Sequence, residues 1–365
     1  MKGMITLFAA AVFAFASCGG GEGGSATDNS VTMTLSSEDF SFGYAAESRE
    51  YTVTCDNEWG VSVDGGVSWA TVSPSGGLSG STVIKVSVSE NKTYEERSAK
   101  LVFKSGSLRK EYVLVQGFNA NTDIAVPEGY RLVWNDEFDE GDTPDTEKWW
   151  YETGGGGWGN NEIQTYVAGK IPGGAELATI KNGVLTISCM KSGDNVYSIR
   201  MNTIEGWTYG WFEARLRLPS GKGTWPAFWM MPKNFTAWPD DGEIDIMEEV
   251  GYHPNYVSSS IHTKSYNHSI GTQKTREKEI KGAQDEFHVY ALEWTAQQIR
   301  TYVDGEPLFT FANEGKGKDT WPFNAPFYLK LNLAWGGNWG GAQGIDESCL
   351  PARYEIDYVR VFQKK

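Results

Sequence analysis

The chain has 365 residues, enough for two domains that each bury a core. Its formal net charge of −15 disfavours nucleic acid and anionic membrane surfaces as partners, since both repel a polyanion. The 15 Trp, 17 Tyr, 17 Phe and 43 Gly point to an all-β protein with glycine turns, and exposed aromatic rings suit the faces of neutral sugars.

Residues 1–17 carry one positive charge at Lys2, an apolar run from Met4 to Phe15, and the small pair Ala16-Ser17. This pattern predicts a secretory signal peptide, too short for a comfortable membrane span. A small residue directly before Cys18 resembles a bacterial lipobox. That resemblance implies that Cys18 is lipidated and opens the mature protein, with the lipid as its one tie to a membrane. An exported lipoprotein at the outer membrane or cell surface, or facing the periplasm, is the expectation. Residues 18–30 are Gly/Ser-rich and predict a flexible tether. The remaining cysteines, Cys55, Cys189 and Cys349, are too few for a disulfide framework. We expect buried free thiols, with a Cys189–Cys349 bridge as the alternative.

Residues 31–117 predict a small β-sandwich of about seven short strands, among them Tyr51–Thr54, Val83–Val88, Ala99–Phe103 and Tyr112–Val115. Turn signals such as Asp64-Gly65-Gly66 separate them. Trp59-Gly60-Val61, Trp69, Val72-Ser73-Pro74, Asn91, Glu96-Arg97 and Val115-Gln116 together resemble the BACON domain of glycan-degrading proteins. The stretch shows no catalytic constellation. A spacer is favoured over a glycan-binding module. Residues 118–127 are a polar linker.

Residues 128–365 again alternate in strand fashion. Phe212, Ala214, Leu216 and Leu218 fall on one core face, and Val303-Asp304-Gly305-Glu306 is a hairpin signal. Tyr354–Val361 repeats the alternation, and no long helical period intervenes, so two packed sheets are expected. The organising stretch is Asp241–Glu249, with five carboxylates in nine residues. Glu243 and Asp245 share one face of a strand, while Glu248, five residues after Glu243, falls on the other. One residue bulged at Ile246 or Met247 returns Glu248 to the face of the other two. Three adjacent carboxylates repel, so at least one should hold its proton near neutral pH while another ionises. Glycoside hydrolysis needs that division of labour.

The pattern Glu-Ile-Asp-Ile-Met-Glu at 243–248 resembles the signature of glycoside hydrolase family 16, in the bulged Glu-x-Asp-x-x-Glu form of laminarinase-like members. The resemblance extends over residues 129–363. It implies a concanavalin A-like β-jelly roll with a long cleft, a β-glucan polysaccharide partner, a monomer, and a retaining double displacement with no catalytic cofactor. Four scattered histidines without an HExxH pair also argue against catalytic zinc. Position by position, Glu243 matches the nucleophile, Glu248 the general acid/base and Asp245 the residue that tunes Glu243. Glu249 falls outside the motif and reads as structural or surface. Trp225, Trp229 and Trp238 match cleft positions where indoles stack on sugar rings, and Asn160, in the Gly154–Glu162 loop, matches a contact to sugar hydroxyls. Arg200 matches a substrate contact and His262 a residue near the leaving group. Asn332–Gly341 resembles a cleft wall. Many members carry a structural calcium; Glu137, the Gly183 carbonyl and Asp357 match its ligands, three donors where calcium takes six to eight. Other family specificities, such as agar- or porphyran-type galactan hydrolysis, use the same acids, as does transglycosylation. A non-catalytic surface glycan-binding lipoprotein would keep the aromatics without needing all three acids.

Overall fold

The computed structural model describes residues 31–91, 95–118 and 124–365. The expected signal peptide and tether, with Cys18, lie outside the described residues. The chain divides into two compact units with the boundary at residues 119 and 120, and each is treated by itself.

The N-terminal unit is a sandwich of a four-stranded and a five-stranded sheet. Its long strands, Glu47–Cys55, Gly80–Val88, Arg97–Ser105 and Leu108–Gln116, contain the four short runs read from sequence. Val53, Ile84, Val86, Leu101, Phe103 and Leu114 are all fully buried between the sheets. The described strands number nine rather than seven. The extra pairings include Ser41–Phe42 and Gly76–Gly77, two-residue strands too short to show an alternation.

The C-terminal unit is a two-sheet jelly-roll sandwich. One sheet has ten strands and is built around the 13-residue strand Ala352–Lys364, which pairs with Val184–Ser192 on one side and Gly210–Arg217 on the other. Phe212, Ala214 and Leu216 are fully buried, as the alternation predicts. The Val303–Glu306 hairpin is present, with Asp304 and Gly305 both at positive φ (49° and 80°), the backbone of a tight hairpin turn. Ile124 is buried against Tyr130 and Phe362, so the last part of the linker already belongs to this unit.

The second sheet carries the site. Its order is Trp149–Tyr151, Arg200–Thr203, Phe327–Trp335, Thr224–Pro232, Glu243–Glu248, Tyr256–His262 and Lys274–Glu279. One face packs Phe228, Met230, Ile244, Ile261, Leu329 and Leu331 into the core, all fully buried. The other face is open, and along Thr224–Pro232 it presents Trp225, Ala227, Trp229 and Met231.

Candidate active site

The acid strand is bulged. Asp245 lies opposite Trp229, but Met247 and Glu248 lie opposite Phe228 and Ala227, so Ile246 is the extra residue. The same slip appears on the other side, where Asp245 pairs with Ser260 and Glu248 with Ser258. Glu243, Asp245 and Glu248 thereby line one cleft, while Ile244, Ile246 and Met247 are buried.

Each outer acid receives an indole donor. Trp225 Nε1 donates to Glu248 Oε1 at 3.0 Å, and Trp238 Nε1 donates to Glu243 Oε2 at 3.2 Å. The loop carrying Trp238 is pinned by the Asp241 carboxylate, which accepts from the backbone N–H of Thr236 and Ala237 and from Lys318 Nζ, all at 2.8–2.9 Å. Gly242 then turns the chain into the strand at φ 89°; a Cβ there would sit 2.7 Å from Pro322. Gly251 closes the other end. Its N–H donates to Thr224 O at 2.9 Å, and an added Cβ would lie 1.9 Å from Gly221 O. Gly251→Ala must therefore push the acid strand away from its neighbour. We expect a destabilisation of about 1–3 kcal/mol, which for a unit of this size lowers the thermal midpoint by about 2–4 °C per kcal/mol. A thermal melt with the wild-type midpoint would contradict it.

Burial raises all three acids. Glu243 is pushed up to about 7, first by desolvation and then by the charge of Asp245; His262, Arg200 and the Trp238 donor pull the other way. Desolvation carries Asp245 up to about 8. Glu248 is raised well above the usual carboxylate range by desolvation and by Asp245, against the Trp225 hydrogen bond. The acids raise one another through their charges, so their titrations are linked.

The structure gathers most of the sequence candidates into a single cleft of about 530 Å³. Asn160, Arg200, Trp225, Trp229 and Trp238 all line it with the acids. Trp229 faces the cleft and donates to Asn332 Oδ1 at 2.7 Å. His262 is not among the residues that line the cleft. It is 7% exposed and lies opposite Glu243 on the neighbouring strand, with Nε2 3.3 Å from Asp245 Oδ2 and 3.7 Å from Glu243 Oε1. It is a partner of the carboxylates rather than a cleft-wall contact. The wall there is formed by His268, whose ring lies 4.9 Å from that of Trp238. Glu152, Trp158, Glu162, Phe235, His268 and Lys330 also line the cleft and were not singled out from sequence. Glu162 closes the glycine-rich loop already noted, and Lys330 is the one charge in a largely apolar strand; those were the available signals.

Glu249 is structural and not on the surface. It is fully buried, accepting from Asn255 N at 2.6 Å and Gln284 Nε2 at 3.2 Å. The Cys189–Cys349 bridge is not formed, and both cysteines are free thiols. The calcium ligands fit poorly. Strand register sets Gly183 and Glu137 close to Asp357, but Glu137 is held bidentately by Arg360 at 2.9 and 2.7 Å, and Asp357 pairs with Arg215 at 2.6 Å. Both carboxylates already answer guanidinium groups. Among the described residues, the one acidic or histidine cluster dense enough for a metal is Glu243, Asp245 and His262, within 4.8 Å of one another. There, Trp238 donates to Glu243 and packs on the His262 ring at 5.9 Å, occupying sides that further ligands would need.

Three carboxylates on a bulged strand, facing an aromatic cleft on one sheet of a jelly roll, define a glycoside hydrolase. The chain belongs to glycosyl hydrolases family 16, whose model matches residues 168–360. The BACON model, an N-terminal binding-domain family, matches residues 50–116. The chain is 47% identical over 248 residues to a beta-glucanase of Rhodothermus marinus, covering 64% of this chain and 85% of that protein. It is 35% identical to a glucan endo-1,3-beta-glucosidase of Cryptopygus antarcticus, covering 63% and 90%. Among solved structures it resembles the laminarinase from Rhodothermus marinus, with TM-score 0.62, 45% identity, and coverage of 65% of this chain and 98% of that one. SCLam, a non-specific endo-β-1,3(4)-glucanase, aligns with TM-score 0.62 and 43% identity, covering 66% and 94%.

Proposed function

We propose that the protein is a retaining endo-β-glucanase that cuts β-1,3-glucan, mixed-linkage β-1,3/1,4-glucan, or both. The observation that carries this reading is the bulge at Ile246, which sets Glu243 and Glu248 on one face with an indole donor on each. Glu243 attacks the anomeric carbon as a carboxylate. Glu248, held protonated by burial, gives its proton to the departing glycosidic oxygen. Once the leaving chain has gone, Glu248 takes a proton from water, and that water releases the sugar from Glu243. Asp245 lies beside both glutamates, where its charge raises them and so helps to keep the proton on Glu248. Trp225, Trp229 and Trp238 offer ring faces to successive sugars and keep water from the reacting bond.

The activities of the relatives named above support a β-glucan over a galactan. Product analysis on laminarin and, separately, barley mixed-linkage glucan tests the choice. Oligosaccharides formed faster from laminarin make it a laminarinase, and faster cutting of the barley polymer makes it a lichenase-type enzyme. No product from either overturns the glucan reading in favour of a galactan or binding-only protein. We further propose that Cys18 carries a lipid, so that a monomeric enzyme is held at the cell surface, where its polymer substrate is found. Metabolic labelling with radioactive palmitate should mark the wild type and not Cys18→Ser.

A further inference from the structure

We propose that Lys330 is a positioning residue for sugar binding: it fixes Glu152, and through Glu152 it fixes the Arg200 guanidinium against the tryptophans of the cleft. The proposal rests on the reading of Arg200 as a sugar contact.

Lys330 lies in the middle of Phe327–Trp335, between Leu329 and Leu331, and is itself fully buried. Strand register places it beside Trp229 on one neighbour and Asn202 on the other, while Arg200 lies beside Asn332 two residues along. All five side chains therefore rise from the same face, the one that lines the cleft. Lys330 Nζ lies 2.8 Å from Glu152 Oε1 and 2.5 Å from Asn202 Oδ1. The other oxygen of Glu152 pairs with Arg200 Nε. The Arg200 guanidinium in turn stands 4.7 Å from the Trp158 ring and 4.9 Å from the Trp229 ring. Lys330 Nζ is 5.0 Å from both the Trp229 and the Tyr328 rings.

Two cations thus share one carboxylate on the floor of a binding cleft. The charges acting on Lys330 are Arg200, Glu152 and Glu243; burial pulls its ammonium down to about 7, with Arg200 adding to the fall and Glu152 opposing it. A leucine would fill the same strand position without this desolvation cost, so packing alone does not explain a lysine. Its head group does explain the order of the carboxylate. With Lys330 and Asn202 on one side, Glu152 is fixed in one rotamer, and the guanidinium that follows it is held near two indoles. Such a preset contact lowers the ordering cost of binding and leaves the bond-breaking step alone.

The test is steady-state kinetics of the full chain on laminarin, with wild type, Lys330→Met, Glu152→Gln, Arg200→Ala and the Lys330→Met/Arg200→Ala double variant. We expect Lys330→Met to raise KM about tenfold with kcat within about twofold, and the double variant to be no worse than Arg200→Ala alone. Glu152→Gln keeps the shape and loses the charge, so it should show the same KM effect if Lys330→Met does not fold. Affinity electrophoresis in laminarin gels, with each variant placed in the inactive Glu243→Ala background, should give the same ratios without turnover. A KM within twofold of wild type, or effects of Lys330→Met and Arg200→Ala that multiply in the double variant, would overturn the proposal. Wild-type cleavage of laminarin tests the functional reading separately, because the proposal depends only on ratios between variants.

Discussion

Glu243→Ala is expected to lower kcat on laminarin at least about 10⁴-fold, a loss of about 5.4 kcal/mol of transition-state stabilisation. Glu248→Ala should fall as far on the polymer but not on every substrate. A 2,4-dinitrophenyl β-glucoside or laminaribioside carries a leaving group that needs no proton. Glu248→Ala should therefore still release a burst of dinitrophenol as Glu243 is glycosylated, and Glu243→Ala should release none. The two variants should fold. Both side chains border the cleft, and each truncation removes a carboxyl group that is crowded and desolvated beside Asp245. Their thermal midpoints should equal the wild-type value or exceed it. Substantial residual polymer cleavage in both would remove the assignment of these two glutamates.

The distribution of these residues shows what the sequence can and cannot carry. The acid strand was legible because its chemistry and its packing have one period. Glu243 and Asp245 alternate with Ile244 and Ile246, and the five-residue step to Glu248 demanded a bulge, which the structure places at Ile246. The core face of Gly210–Arg217 and the Asp304-Gly305 turn were legible for the same local reason. What was not legible depends on partners far apart in the chain. Trp225 and Trp238 were expected as sugar platforms; that their N–H groups also reach Glu248 and Glu243 follows from strand register and from the Asp241 clamp on the loop. Glu152 and Lys330 are 178 residues apart, and nothing local to either announces their pairing. His262 was expected against substrate; its place opposite Glu243 in register sets its ring against the Glu243 and Asp245 carboxylates. The Glu137 and Asp357 carboxylates came together near Gly183 in register, but arginines on the same sheet take them.

Activity on laminarin, measured as kcat/KM, is expected to follow a bell-shaped pH profile, and its two limbs can be assigned by two conservative substitutions. Glu243 must be ionised to attack, so activity should rise with pH as it loses its proton, near the value of about 7 to which burial and Asp245 raise it. Glu248 must be protonated to assist departure, so activity should fall again at higher pH as that proton is lost. Each indole donor favours the charged form of the carboxylate that it touches, so removing the donor raises that carboxylate's pKa. Trp238→Phe keeps an aromatic face but removes the N–H from Glu243, and the acidic limb should move up by about one pH unit, the worth of a hydrogen bond to a charged group. Trp225→Phe removes the N–H from Glu248, and the basic limb should move up by a similar amount, of about one unit. Because the acids titrate together, each substitution will also nudge the other limb, but the larger shift identifies the group that was touched. A profile in which Trp238→Phe moved chiefly the basic limb, and Trp225→Phe the acidic one, would exchange the roles of the two glutamates while leaving the fold and the cleft as they are.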